Sequence, residues 1–271
     1  MRQIIKRILG KVSRVRRIPE KLKLWRYKIA VKRLFVNPEL YFRALVEKDN
    51  GAIVLKTRDG LSITIRQNIW DARIIKEIFI DKPYIRYFKL PKNPVIVDVG
   101  GYIGDFSIYA AKYLNSKTVI VYEPTAENFE ILKQNIENNG LEDRITAVKK
   151  AVSNSNDVML NVDIQESDEV HVSAYWYPNA EKRLVPSVTV SDILSEHQLD
   201  SIDLLKVDCE GGEYDIFPGL TDETLRCIRN IVFEYHRVDG FEEKLDHVME
   251  RLKSTGYQLR LEGNICYASR S

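Results

Sequence analysis

Three cysteines in 271 residues, Cys209, Cys227 and Cys266, are odd in number and widely spaced. That argues against a disulfide framework and against a zinc knuckle. Reduced thiols are expected. No apolar run approaches the ~20 residues that cross a bilayer. The amino terminus, MRQIIKRILGKVSRVRR, has neither the uninterrupted apolar core nor the small-residue cleavage site of a secretory leader. A cytoplasmic chain is therefore expected. There is also no internal repeat and no low-complexity tract, which removes solenoids and tandem arrays from consideration. What the chain does have, 44% hydrophobic and 30% charged residues, suits one substantial core with a smaller appendage.

Acidic residues are scarce at one end only. Of 41 Lys/Arg and 39 Asp/Glu, residues 1–36 hold 13 and one, the single acid being Glu20, so the remainder carries 28 basic against 38 acidic groups. Within this arm Ile4, Ile5, Ile8, Leu9, Val12 and Val15 recur at spacings of three and four, the pattern of a helix with an apolar stripe and a cationic back. Pro19 suits the start of a second helix bearing Leu22, Trp25 and Ile29. Two readings stay open. The arm packs on the body with its basic face solvated, or residues 1–36 attach to an anionic membrane surface and hold a cytoplasmic protein at the inner membrane face. Nucleic acid is a weaker partner, because everything beyond the arm is net acidic.

From Gly51 the composition changes. AIVLKTRDGLSITIR reads as two alternating strands joined at Asp59-Gly60, and a helix is expected over Ala72–Ile80. Beyond Pro94 strands and helices alternate: strand Val95–Val99, helix Phe106–Leu114, strand Val119–Tyr122, helix Glu127–Asn138 and strand Ile145–Lys149. Helix Val190–His197, strand Leu204–Asp208, a helix near Tyr214–Phe217, strand Ile231–Glu234, helix Glu242–Lys253 and a strand pair near Tyr257–Ala268 follow. Such alternation predicts an α/β fold with a mostly parallel, doubly wound sheet, whose ligands bind at the carboxyl ends of the strands. The expected division is an arm over 1–50, a hairpin and helix over 51–93, and a Rossmann-like core over 94–271.

The stretch VIVDVGGYIGDFS joins a buried strand to a helix through Gly100, Gly101 and Gly104. A dinucleotide fingerprint would read G-x-G-x-x-G; here the order is D-x-G-x-x-x-G, from Asp98 through Gly100 to Gly104. That suits a cofactor with an amino-acid end, which the backbone can approach closely and a carboxylate can meet. The next strand ends in VYEP, placing Glu123 where an acid can accept hydrogen bonds from ribose hydroxyls. S-adenosylmethionine has both features. The cofactor set expected is Asp98, Gly100, Gly101, Tyr102, Gly104, Glu123, Pro124 and, after the following strand, Ala151.

VDVGGYIGDFS, VYEPTAENFEILKQNIENNG, VPSVTVSDILSEH, IDLLKVDCEGGEYDIFPGL and IVFEYH, in this order and spacing, resemble the FkbM family of S-adenosylmethionine-dependent methyltransferases. The likeness runs from about Gly51 to the carboxyl terminus and leaves the basic arm outside. It implies a Rossmann-like class I methyltransferase fold and methyl transfer to oxygen, often a hydroxyl of a sugar or of a glycosylated or polyketide product. Tyr102 departs from the family, which usually has a small polar residue such as Asn there.

In LLKVDCEGGEYD a strand delivers Lys206, Asp208, Glu210 and Glu213 to its carboxyl end. Methyl transfer is an in-line displacement, so the enzyme must hold the acceptor oxygen behind the methyl carbon, and an alcohol must lose its proton to a base in reach. Asp208 and His236 are the candidate bases, with Lys206 and Glu210 beside them. Acids at such a junction also serve simply as helix caps. A divalent metal on Asp208, Glu234 and His236 is conceivable from ligand type, but no spacing demands one and none is assigned. For the acceptor, DEVHVSAYWYPNAEKRLV offers Ser173, Tyr175 and Trp176, suited to the apolar face and hydroxyl edge of a sugar, with Glu213 and Glu234 near the reacting end. A partly buried loop or edge strand is the competing reading. The function expected is O-methylation of a hydroxyl on a sugar, glycan or glycolipid precursor, small or lipid-linked. A catalytically silent scaffold of the same fold and a nucleic-acid methyltransferase are the alternatives.

Overall fold

The computed structural model describes residues 20–47, 49, 51–155, 157–164, 170–173, 181–236 and 242–270; for 161–164, 170–173 and Glu242 it describes the backbone alone. The helix expected across the first fifteen residues lies outside the described residues, as do Tyr175 and Trp176. The described chain divides into two compact units, with the boundary between Pro83 and Tyr84.

The first unit contains α1 (Glu20–Leu34), α2 (Pro38–Ala44), β1 (Ala52–Lys56), β2 (Ser62–Arg66) and α3 (Ile69–Lys76). Pro38 opens α2, where its fixed φ and missing N–H cost nothing. The hairpin β1–β2 alternates buried Ile53 and Leu55 with exposed neighbours, as the sequence predicts. α1 buries Tyr27 and Val31. The Tyr41 hydroxyl donates to the Ala72 carbonyl at 3.0 Å, which leaves Tyr27 to donate to Tyr41 at 2.5 Å. The Asn68 side chain caps α3 by accepting from the Asp71 amide. The helix therefore starts at Ile69, before the expected Ala72, and ends in a wider π turn, Glu77–Asp81. The hairpin and α3 group with the arm's helices rather than with the downstream core.

The second unit runs β3 (Val95–Val99), α4 (Asp105–Tyr113), β4 (Thr118–Tyr122), α5 (Ala126–Glu137), β5 (Ile145–Val148), β6 (Ala151–Val152), β7 (Asp157–Ile164), β8 (Val170–Ser173), β9 (Glu181–Val188), α6 (Val190–Glu196), β10 (Leu204–Val207), α7 (Glu213–Ile216), α8 (Asp222–Arg226), β11 (Asn230–Glu234), α9 (Glu242–Ser254), β12 (Gln258–Glu262) and β13 (Ile265–Ser269). Seven strands form one sheet in the order β12-β13-β11-β10-β3-β4-β5. β11, β10, β3, β4 and β5 are parallel, and β13 and β12 close one edge antiparallel. The parallel strands are runs such as VIVDV and LLKV, mostly apolar because both faces are covered, with Asp98 and Lys206 as their buried charged exceptions. The chain steps outward from β3 to β4 and β5, then returns to add β10 on the other side of β3. That reversal is the switch point at which open α/β sheets bind ligands.

The sequence reading lacked a second sheet, β6-β9-β7-β8. Its β8 and β9 occupy much of the segment expected as a substrate loop: β7 pairs antiparallel with both, and Ala151–Val152 pairs parallel with Ser187–Val188. β8 is an edge strand, as the competing reading of that segment had it, while β9 lies between β6 and β7. The alternation of Val158, Leu160, Val162 and Ile164 was the available signal, while Pro186 in β9 concealed the partner strand.

Candidate active site

The glycine turn and the end of β10 are built against each other. Gly100 has φ +80°, and a Cβ there would lie 1.8 Å from the carbonyl oxygen of Asp208. No other residue permits this approach. The turn is held from the opposite side by Tyr122, whose carbonyl accepts from the amides of Gly100 and Gly101 at 3.1 and 2.9 Å. Tyr102 also adopts a left-handed conformation, φ +49°, one that Asn tolerates better than a bulky residue.

Beneath the turn lies a buried charge cluster. Lys206 reaches Asp98 at 3.0 Å and Asp208 at 3.8 Å, and donates to the Gly100 carbonyl at 3.0 Å. Ser107 donates to the other oxygen of Asp98 at 2.7 Å. Burial opposes the Lys206 charge, but Asp98, Asp208 and Asp105 outweigh it and raise its pKa. Asp98 is wholly buried. It was expected to meet the cofactor directly; it instead anchors Lys206 below the turn. Asp105, at the start of α4, went unassigned in the sequence. Burial pushes its carboxyl up to about 8, with Lys206 pulling down and Asp98 pushing up.

Glu123 lies at the end of β4, as expected. One oxygen, Oε1, accepts from the amide and hydroxyl of Thr125 at 3.0 and 2.6 Å and from Asn128 at 3.4 Å; the other, Oε2, accepts the Tyr102 amide at 3.0 Å. Burial raises its pKa, opposed by those hydrogen bonds. A carboxylate has about four acceptor positions, so Oε2 retains capacity for a hydroxyl donor. Pro124 follows half-buried, and Ala151 sits in β6, within the smaller sheet.

On the other side of the β10 end, Asp208 is joined by a residue that no motif announces. The Tyr84 hydroxyl lies 2.8 Å from Asp208 Oδ2 and 3.2 Å from Glu234 Oε2. Its ring stands edge-on to Phe106, and the Lys206 ammonium lies 5.4 Å from its centroid. Glu234 also accepts from Asn264. His236 is clamped: Glu213 Oε1 accepts its backbone amide at 2.7 Å and faces Nδ1 at 3.1 Å, and Glu210 faces Nε2 at 3.3 Å. Burial works against the imidazolium, but Glu213 and Glu210 prevail and raise its pKa to about 10. A charged imidazole has no lone pair for a proton, so the two flanking carboxylates work against the expected role of His236 as base. Glu213, expected at the substrate, is 1% exposed and has turned inward. It positions His236 and, by accepting from the Gly211 amide at 2.9 Å, the loop after β10. Asp208 and Glu234 remain about one fifth exposed and Glu210 more than half. Ser173 lies in β8.

A mostly parallel sheet with a glycine turn and paired acids at its switch point is the Rossmann-like architecture of methyltransferases. The chain belongs to the FkbM methyltransferase family: residues 98–259 match the model of the methyltransferase FkbM domain. It is 28% identical over 221 residues to the methyltransferase sdnD of Sordaria araneosa, covering 71% of this chain and 85% of that one. To the 31-O-demethyl-FK506 methyltransferase FkbM of Streptomyces tacrolimicus it is 25% identical over 225 residues, covering 72% and 85%. Among solved structures, the methyltransferase FkbM from Methylobacillus flagellatus KT superposes with a TM-score of 0.47 at 13% identity, covering 92% of this chain and 59% of that one.

Proposed function

We propose that the protein is an S-adenosylmethionine-dependent O-methyltransferase acting on a hydroxyl of a sugar, glycan or glycolipid precursor, with Asp208 as the base. The observation that carries this reading is the contrast at the end of β10. Both ring nitrogens of His236 face carboxylates, Nδ1 at Glu213 and Nε2 at Glu210, whereas Asp208 has its Oδ2 held by Tyr84 and its side chain about one fifth exposed. The name of the Streptomyces relative denotes transfer to an oxygen, which supports the same chemistry.

The donor set fits the cofactor. Glu123 Oε2 would take a ribose hydroxyl, and Asp208, the partly exposed acid beside Lys206, would complement a cationic methionine end. When bound, S-adenosylmethionine supplies an electrophilic methyl carbon whose sulfonium sulfur keeps the bonding pair as the carbon joins the acceptor oxygen. Asp208 takes the hydroxyl proton as that bond forms. Tyr84 fixes the carboxylate's rotamer, and Lys206 offsets the charge beside it until the proton arrives. Calorimetry with S-adenosylmethionine, followed by mass spectrometry of a panel of nucleotide sugars and lipid-linked sugars incubated with protein and cofactor, tests the reading. Cofactor binding with methyl gain on a sugar hydroxyl is expected. Absence of binding by folded protein would remove it.

A further inference from the structure

Helix α1 shows something that periodicity alone could not, namely which of its faces is turned outward. Tyr27 and Val31 face into the first unit. Yet the opposite face is not simply charged: Leu22 is 43% and Trp25 59% exposed, and Ile29, one turn on, is only half-buried. At i, i+3 and i+7 these three form a continuous stripe along the helix. At 100° per residue, Lys21, Lys28 and Lys32 run along one flank of it, and Arg26 and Arg33 along the other; all five are exposed. Past Glu20 the helix carries no acid, and residues 1–19 add seven further basic residues and no acid.

A helix that already buries one face within its own unit has no structural use for a second apolar stripe exposed to water. A stripe of Leu, Trp and Ile edged on both sides by long cationic side chains matches one solvent boundary in particular. At a bilayer interface apolar groups sink below the headgroups while lysine and arginine stems reach up to the phosphates, and tryptophan favours that depth. A nucleic acid would use the cations and leave the stripe wet.

We propose that the outward face of α1 docks on an anionic phospholipid surface, with Leu22, Trp25 and Ile29 inserted and the flanking Lys and Arg on the headgroup phosphates. This surface is independent of the reaction assigned to the second unit. It localises the protein through its first unit.

The test uses the full chain with vesicles of phosphatidylcholine and phosphatidylglycerol, and with vesicles of phosphatidylcholine alone. Sedimentation with the anionic vesicles at low salt, release as salt rises, and a blue shift of tryptophan emission that Trp25→Phe abolishes are expected. Leu22→Ser with Trp25→Ser should weaken partitioning by about tenfold or more, since two buried apolar side chains are lost, with an unchanged melting temperature because both are exposed. Lys21→Glu, Lys28→Glu and Lys32→Glu together should abolish binding. Equal sedimentation of the double serine variant and the parent would overturn the proposal by placing attachment elsewhere in the arm. So would absence of binding, equal binding to neutral vesicles, displacement from vesicles by an RNA duplex at lower concentration than by soluble phosphatidylglycerol, or a chain that self-associates through this face and becomes monomeric in the serine variant.

Discussion

At Glu123, Oε1 receives three of the hydrogen bonds and Oε2 one, from the amide of Tyr102. The side chain proposed to take a ribose hydroxyl therefore also pins the glycine turn. Glu123→Ala is expected to weaken S-adenosylmethionine binding by ~1.5–3 kcal/mol, the range of a charge-assisted hydrogen bond, as read by calorimetry; unchanged affinity would refute the assignment. Asp208→Asn keeps the shape but cannot take a proton, so turnover should fall about 100-fold or more, whereas Tyr84→Phe should lower it less and leave a protein that still binds cofactor. His236 gives a different readout. Its folded pKa of about 10 lies above the ordinary 6.5, so the stability it contributes is full below pH 6.5 and is lost as pH rises through about 10. In Glu213→Gln the imidazole should titrate well below the parent's when followed by NMR. Asp98, Gly100, Glu123 and Asp208 were legible because each stands at a fixed offset from a buried strand. Tyr84 was not, since its partners Asp208 and Glu234 are 124 and 150 positions away in sequence and only the fold brings them together.

Among the elements, α4 starts on an expensive residue. Asp105 sits buried in its first turn, and the helix dipole, which favours an anion there, does not overcome the loss of water: its pKa rises from 3.8 to about 8. A raised carboxyl favours the folded state fully below its unfolded pKa, and that contribution is lost as pH climbs through about 8. Asp105→Asn should therefore gain stability over the parent progressively between about pH 4 and pH 8, visible as a widening gap between urea midpoints; a constant gap would show that the acid is already charged at the low end. Strands β3, β4, β10 and β11 could be found because a strand buried on both faces is a near-continuous apolar run, interrupted here by Asp98, Lys206 and the ends of β11, and few other elements four or five residues long look the same. The second sheet was harder. Its strands are half-polar, one contains Pro186, and its pairing of β6 with β9 joins segments about 35 residues apart with no motif on either.

For the whole molecule, ligand linkage offers the broadest check: S-adenosylmethionine at one hundred times its Kd should add ~2.7 kcal/mol to the stability of whatever transition contains the second unit. A melting curve indifferent to saturating cofactor would mean that the site is not formed. Among the described residues no helix is long and apolar enough to cross a membrane. The alternation of strands and helices predicted a mostly parallel, doubly wound sheet, but which residues of the arm point outward depended on Tyr27 packing against Tyr41, a contact made by a helix the sequence reading had not identified. The approach of Gly100 to the backbone of Asp208 has one more consequence, for inheritance. Because the obstruction is a main-chain oxygen 1.8 Å from the first added carbon, no change of side chain at position 208 can make room for it. Position 100 thus has no compensating partner. In a library covering every codon it should be the site at which only the parental residue survives, and in descendants of this gene it should stay glycine while the residues around it change.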